Sequence, residues 1–223
     1  MLDRFVFLSR IAISLLNIPQ LNIANFWPSY LWQGSGIEEW QSQNDMTGFY
    51  KHRALLILPP LLLALLWPQT RTEYDWIYLV SAGTLFVLGL LLRIWAQQHL
   101  HLRIKIAVTL TTSGPYAIVR NPIYIANTLI CVGVTALAGN IWLMLITLVW
   151  CMLLYPQVVR EEEEHTKQYG VDRDNYYKAV SRWLPRYRGT PLDLTNEHLL
   201  PSIWAEAHNF LFPLPYLAKR IFF

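Results

Sequence analysis

The stretch from Asn121 to Val159 contains 39 consecutive residues without Asp, Glu, Lys, Arg or His. Because one membrane-spanning helix needs roughly 20 apolar residues, this stretch is long enough for two spans. The pair Gly139–Asn140 lies near its middle, where a tight turn between two helices is least costly. The pattern predicts a helical hairpin that crosses a bilayer and returns, so that both of its ends emerge side by side. We call that end of the hairpin the mouth.

Two further uncharged stretches precede the hairpin, from Ala54 to Gln69 and from Trp76 to Leu92. Each is slightly shorter than a full span, and tilt, a snorkelling Arg93 or a thinner bilayer would supply the missing length. Only 15% of the residues are charged, against about 25% in soluble domains. The sequence therefore predicts an all-α integral membrane protein with four transmembrane helices, the last two forming the hairpin, and a cytoplasmic C-terminal helical segment.

The first 50 residues leave two alternatives open. Leu2–Leu16 is apolar apart from a few polar positions that include Arg4 and Arg10, and no small-residue cleavage site of the kind found in signal peptides follows it. We favour a helix that lies in the membrane interface, and a fifth span is the alternative. The expected organisation is an N-terminal interfacial segment (1–50), a transmembrane domain (51–188) and a C-terminal membrane-surface tail (189–223).

Basic residues are concentrated in alternate connecting segments, which predicts that both termini and the 94–121 segment are cytoplasmic. These residues are Lys51 and Arg53 before the first span, Arg103, Lys105 and Arg120 between the second and third, and the seven basic residues from Arg160 to Arg188 after the fourth. The net charge of +3 suits contact with anionic lipid and gives no reason to expect nucleic acid. Cys131 and Cys151 form no metal motif, so we predict no metal site. Nothing in the sequence indicates an oligomeric state.

Two polar segments flank the hairpin at its mouth. In the first, Thr111–Tyr124, a Ser-Gly-Pro turn is followed by Asn121–Pro122, which fits the cap and the first residue of a helix. Arg120, with Tyr116 and Tyr124 close by, could bind an anionic or aromatic ligand there, helped by the backbone amides of the helix start. The alternative is a loop that only begins a helix.

The second polar segment runs from Arg160 to Pro185 and begins with four consecutive glutamates. Glu163 and Glu164 fit a solvated helix face with pairing at i,i+4 spacing, and we expect no further role for them. Glu161 and Glu162 lie closest to the end of the fourth span. They are therefore expected to border any pocket at the mouth.

Taken together, the two segments resemble the isoprenylcysteine carboxyl methyltransferases and the related phospholipid methyltransferases. The shared pattern is a Gly-Pro-Tyr turn, an Arg-x-Pro-x-Tyr element, a helical hairpin and a segment that extends from Glu-Glu to Trp-x-Pro. The matching residues are Gly114, Pro115, Tyr116, Arg120, Pro122, Tyr124, Glu161, Glu162, Tyr169, Gly170, Tyr176, Val180, Arg182, Trp183 and Pro185. The match extends over residues 76–188.

The resemblance implies an enzyme that uses S-adenosylmethionine on the cytoplasmic side to methylate a lipidic or prenylated acceptor, at a carboxylate or an amine. It implies that Arg120 and Glu161 are catalytic and also contact the cofactor. The other cofactor-binding residues that it implies are Leu110, Gly114, Tyr116, Asn121, Pro122, Ile123, Tyr124 and Glu162. For the acceptor, the candidates are Gln157 and Arg93, and Arg93 could equally be a residue that only snorkels.

The sequence departs from the family pattern mainly on the acceptor side. The family histidine after the arginine is Asn121 here, a second family histidine falls on Val108, and an expected tyrosine is Arg173. Gln157 stands where the prenylcysteine enzymes use an arginine for their substrate. Two other functions remain as alternatives, a sterol-reductase-like enzyme that uses NADPH and a non-catalytic membrane scaffold of the same fold.

The kind of acceptor decides whether a base is needed. A carboxylate is already ionised near pH 7, whereas an amine must first lose a proton, which Glu161 or Glu162 could accept. His99 and His101 lie on the same side of the membrane, and we expect both to be interfacial loop residues.

Overall fold

The computed structural model describes residues 49–69, 73–105, 110–165, 170–185 and 199–222, and all structural statements concern these residues. They form helices and no strand, so the predicted all-α class is confirmed for this part of the chain. The two alternatives for the N-terminal segment, an interfacial helix or a fifth span, concern residues that lie outside the described ranges.

The chain is organised as a series of helices joined by short connections. The α-helices are α1 (Phe49–Leu56), α2 (Leu58–Leu66), α3 (Asp75–Lys105), α4 (Pro122–Ala136), α5 (Ile141–His165), α6 (Gly170–Ala179), α7 (Leu199–Ala205) and α8 (Leu214–Phe222). Short 3₁₀ helices occupy Gly114–Ala117 before α4 and Ala207–Leu211 between α7 and α8.

Two stretches are long and apolar enough to cross a membrane, by length and composition alone. They are Asp75–Leu100 within α3 and Ile141–Glu164 within α5. The apolar helices His52–Leu66 and Pro122–Ala136 are shorter. The four predicted spans thus coincide with two candidates of full length and two shorter apolar helices. Arg93 does not end the second of them, because α3 continues without a break to Lys105.

Helices α4 and α5 form the predicted hairpin. Helix α4 ends at Ala136 and α5 begins at Ile141, and Gly139 between them has a φ of +69°, a conformation that glycine adopts without a Cβ clash. The side-chain oxygen of Asn140 accepts a hydrogen bond of 2.9 Å from the backbone N–H of Trp142 and so caps the start of α5. The turn that was predicted at Gly139–Asn140 is therefore confirmed.

Two glycines allow α3 and α4 to approach each other closely. A Cβ at Gly89 would lie 2.8 Å from the carbonyl oxygen of Ala126, and a Cβ at Gly133 would lie 2.9 Å from the backbone nitrogen of Phe86. Small residues permit such backbone contact between apolar helices. These pairings also show that α3 and α4 run antiparallel, so the end of α3 lies at the mouth.

Gly89→Ala is expected to lower the free energy of unfolding by about 1–3 kcal/mol, because the new methyl group meets backbone atoms that cannot rotate away. The matched control is Gly83→Ala in the same helix, where a Cβ meets nothing within 4 Å. That change should be neutral or stabilise by up to about 1 kcal/mol. Thermal unfolding of the detergent-solubilised protein measures both effects, and equal stability of the two variants would contradict the close packing.

Helix α8 lies along α2 and ends at the turn of the hairpin, opposite the mouth. The Tyr216 hydroxyl donates a hydrogen bond of 2.6 Å to the carbonyl oxygen of Leu61. Arg220 donates one of 2.8 Å to the carbonyl oxygen of Leu137 in the turn and forms an ion pair with Asp75. The prediction that the C-terminal end shares the side of the 94–121 segment is therefore wrong, because these contacts hold α8 at the other end.

Candidate functional site

The Gly-Pro-Tyr turn before α4 packs directly on His99 of α3. Gly114 has a φ of +57°, and a Cβ on it would lie 2.2 Å from His99 Nε2. His99 is 1% exposed, and its Nδ1 lies 2.9 Å from Ser113 Oγ. The expectation that His99 is an interfacial loop residue is wrong, because α3 extends past it and carries the ring into the interior. The side chain of His101 lies outside what the structure describes.

The segment after α6 is bound to the segment before α4 by hydrogen bonds. The Tyr176 hydroxyl donates one of 2.7 Å to the Tyr116 carbonyl oxygen, and the Arg120 backbone N–H donates one of 3.0 Å to the Ser181 carbonyl oxygen. Burial raises the pKa of Tyr176, so its phenol stays protonated and remains a donor at physiological pH. The two polar segments predicted to meet at the mouth therefore do meet there.

Helix α4 begins at this junction. Pro122 occupies its first position, where the missing N–H of proline costs nothing. The predicted Asn121 cap is not formed, because the Asn121 side-chain amide instead donates a hydrogen bond of 3.2 Å to the carbonyl oxygen of Arg182. Leu110 and Ile123, two other predicted cofactor residues, are half-buried on either side of the turn. The Asn121 side chain thus links the two polar segments and does not cap α4.

An ion-pair cluster forms the charged centre of the mouth. The Glu163 carboxylate accepts a hydrogen bond of 2.5 Å from Arg182 Nη2 and lies 3.3 Å from Arg120 Nη1. The guanidinium carbons of Arg120 and Arg173 lie 4.1 Å and 4.5 Å from the centre of the Tyr177 ring, within cation–π range. The Glu163 side chain is only 15% exposed, so the expectation of a solvated helix face is wrong for this residue. Within the last turns of α5, Glu163 faces α6 and the start of α4 instead of solvent.

Two N–H groups in this cluster have no acceptor. The Nε atoms of Arg120 and Arg173 are buried and find no hydrogen-bond partner among the residues that the structure describes. A buried donor without an acceptor costs about 1–3 kcal/mol. An oxyanion on a ligand would therefore find charged donors prepared for it at this place.

The two adjacent glutamates predicted as site residues face different elements. The Tyr124 hydroxyl donates a hydrogen bond of 3.0 Å to Glu162 Oε2, which joins the ends of α4 and α5. Glu161 Oε1 accepts one of 3.0 Å from the backbone N–H of Phe49 at the start of α1. Glu162 is therefore brought together with the Tyr116–Tyr124 segment, whereas this oxygen of Glu161 is directed towards α1.

The two acceptor candidates lie in different surroundings. Gln157 accepts a weak, exposed hydrogen bond of 3.4 Å from Arg160. Arg93 is held inside the bundle, where its Nε binds the Glu206 carboxylate and its Nη1 binds the side-chain oxygen of Asn127. The Arg93 side chain is therefore bound within the bundle and does not snorkel.

Several residues that the structure brings to these places are not predicted as site residues from the sequence. At the mouth they are Glu163, Arg173 and Tyr177. Near Arg93 they are Asn127 and Glu206. Asn127, an amide inside an uncharged span, was a visible signal, whereas Glu206 in a distant tail was not. Val108, where a family histidine would fall, lies outside the described residues.

Comparisons with known proteins give one family match and two similar proteins. A family model described as phospholipid methyltransferase matches residues 77–171. The nickel-cobalt-cadmium resistance protein NccN of Alcaligenes xylosoxydans xylosoxydans is 28% identical over 134 residues, which are 59% of this chain and 62% of that protein. The cobalt-zinc-cadmium resistance protein CzcN of Cupriavidus metallidurans is 29% identical over 135 residues, 58% of this chain and 62% of that protein.

The chain thus spans less than two thirds of the length of these two relatives. No solved structure matches it. The family match includes the turn on His99, the hairpin and the glutamates at the mouth. Residues 77–171 of this chain are therefore similar to the phospholipid methyltransferase family, which falls within the group of integral membrane methyltransferases.

Proposed function

We propose that the mouth binds S-adenosylmethionine and that the protein transfers its methyl group to a lipidic or prenylated acceptor. The observation that carries this proposal is the pair of buried guanidinium N–H groups without acceptors, on Arg120 and Arg173. Arg120 lies within the region matched by the family, and Arg173 lies two residues beyond its end. The cofactor has a carboxylate, and an arginine is the side chain best suited to bind one.

The surrounding residues fit the rest of such a ligand. Tyr116 and Tyr124 supply aromatic rings at the same end of the hairpin, and flat aromatic faces suit an adenine ring or a sulfonium. Glu162 supplies a carboxylate on the Tyr124 hydroxyl. We propose that this set, with Leu110, Gly114, Asn121, Pro122 and Ile123 shaping the backbone around it, forms the cofactor pocket.

In this proposal Arg120 and Glu161 have the catalytic roles. When bound, the cofactor supplies a methyl group on a sulfonium, which is activated for in-line displacement. Arg120 fixes the ligand by its charge, because its own position is fixed by Glu163, Tyr177 and a backbone bond to Ser181. Glu161 holds or accepts a proton where the acceptor is an amine, and only orients the acceptor where it is a carboxylate. Positioning supplies most of the rate in either case.

We place the mouth on the cytoplasmic side. Three arginines, Arg120, Arg173 and Arg182, gather there, and basic residues are retained on that side of a membrane. The sterol-reductase-like alternative would use NADPH at the same mouth, where the same guanidinium groups could meet a phosphate. Ligand binding therefore has to separate the two enzymes.

The test is titration of the purified full-length protein with S-adenosylhomocysteine and, separately, with NADPH. We expect the homocysteine compound alone to bind, and Arg120→Gln to weaken it at least tenfold through the loss of a charged hydrogen bond worth about 1.4 kcal/mol or more. Glu164→Gln, at an exposed position one residue beyond the cluster, is the control and should change nothing. Binding of NADPH alone would favour the sterol-reductase-like enzyme. Binding of neither ligand would leave the non-catalytic scaffold as the remaining alternative.

A further inference from the structure

A buried ion pair joins the C-terminal part of the chain to the interior of the bundle. Arg93 of α3 binds the carboxylate of Glu206, which follows α7, and the side-chain oxygen of Asn127 of α4. Asn209 donates a second hydrogen bond of 2.6 Å to the same carboxylate oxygen. Ionisable groups inside apolar bundles are costly and for that reason usually functional, so this pair needs an explanation beyond packing.

The two charges of the pair are covered to different extents. The Glu206 side chain is 3% exposed, whereas the Arg93 side chain is 20% exposed. The Glu206 carboxylate is thus covered by the groups that donate hydrogen bonds to it. Arg93 uses Nε and Nη1 for Glu206 and Asn127, and its Nη2 has no partner among the described residues. The accessible part of Arg93 is therefore an N–H group of a cation, which can donate hydrogen bonds but cannot accept them.

This asymmetry decides which ligands the pair can take. An ammonium group would need an accessible carboxylate, and the only carboxylate of the pair is covered. An oxyanion needs accessible N–H donors on a cation, and the open edge of Arg93 supplies them. Glu206 compensates the guanidinium charge in apolar surroundings, and Asn127 fixes its orientation before a ligand arrives.

The pair lies close to the mouth on the side of the apolar bundle. Asn127 follows Tyr124 by three residues, about one helical turn, and the Tyr124 hydroxyl is bonded to Glu162 at the mouth. The Tyr124 ring also contacts the Tyr155 ring at a centre-to-centre distance of 5.1 Å. Polar side chains therefore continue inward from the mouth as far as Arg93.

We propose that Arg93, oriented by Glu206 and Asn127, is an oxyanion site for the phosphate or carboxylate of an amphiphile. That this amphiphile is the methyl acceptor rests on the function proposed above. The oxyanion site itself rests only on the contacts of Arg93. The C-terminal segment then belongs to the site, since it supplies the carboxylate that orients Arg93.

The test measures binding of three probes to the purified full-length protein in a neutral detergent. The probes are dioctanoyl phosphatidic acid, dodecanoate and dodecylamine. Because Arg93→Gln alone leaves a buried carboxylate without its cation, the decisive variant is the double substitution Arg93→Gln with Glu206→Gln, which removes both charges and keeps hydrogen-bonding groups. We expect at least one of the two anions to bind the wild type tenfold or more tightly than this variant.

The control is Arg220→Gln, which breaks the other ion pair between the same C-terminal segment and α3, that with Asp75. It should lower stability and leave the affinity for the anions unchanged. Binding of the phosphatidic acid alone would identify a phospholipid headgroup, and binding of dodecanoate alone a lipid acid. Equal anion affinity in wild type and double variant, or tighter binding of dodecylamine than of either anion, would overturn the proposal.

Binding of S-adenosylhomocysteine, followed in the same samples, separates this proposal from the proposed function. The double variant should retain that binding, because neither residue belongs to the mouth. Anion binding without any binding of S-adenosylhomocysteine would support the oxyanion site. It would contradict the proposal that the bound amphiphile is a methyl acceptor.

Discussion

Glu163→Gln is expected to lower the free energy of unfolding by about 2–3 kcal/mol and to weaken S-adenosylhomocysteine binding at least tenfold. The carboxylate is shared by Arg120 and Arg182, so its neutralisation leaves two guanidinium groups beside each other without their common anion. The stability loss is smaller than for a fully buried pair, because the Arg182 side chain is 34% exposed. The affinity falls because Arg120 is then no longer held in place.

The matched control is Glu164→Gln, which removes the same charge one residue away at an exposed position. It should leave both quantities within experimental error. Denaturant unfolding and ligand titration measure the two effects on the same preparations. A variant at Glu163 that behaved like the one at Glu164 would show that the ion-pair cluster does not organise the mouth.

Gly114→Ala is expected to cost about 2–5 kcal/mol of unfolding free energy, more than Gly89→Ala. An alanine at a φ of +57° is strained by about 1–2 kcal/mol, and its Cβ would also lie 2.2 Å from the His99 ring, so the turn must move. Because the turn carries Tyr116, cofactor binding should be lost as well. Thermal unfolding and titration with S-adenosylhomocysteine measure both losses.

A double-mutant cycle with His99→Ala separates the two causes. If the clash contributes, the combined variant should be more stable than the sum of the single losses predicts, since the smaller side chain makes room for the new methyl group. The backbone strain should remain. Strict additivity of the two substitutions would show that the turn does not depend on the His99 ring.

The hairpin and its mouth could be predicted from the sequence because the signals for them are local. An uncharged run of fixed length with Gly139–Asn140 at its centre leaves few alternatives, and the two ends of a hairpin must lie together. Glu163 could not be placed in the same way. Its partners Arg120 and Arg182 lie in segments 43 residues before and 19 residues after it, and a helical-face argument contains no information about either.

The position of the C-terminal end was predicted wrongly for a related reason. The basic residues counted for the orientation extend only to Arg188, and such a count contains no information about contacts made further along the chain. Lys219 and Arg220 are bound to backbone carbonyl groups of α2 and of the hairpin turn, and Arg220 also to Asp75. These long-range contacts determine where α8 lies.

The contact between Arg93 and Glu206 has a consequence for how the protein is made. The two residues are separated by 113 positions. At a synthesis rate of about 5–20 residues per second, the arginine emerges from the ribosome about 6–23 s before its partner. During that interval α3 must enter its apolar surroundings with an uncompensated cation. A chain that ended between the two residues would therefore keep the Arg93 cation without the carboxylate that compensates it in the finished bundle.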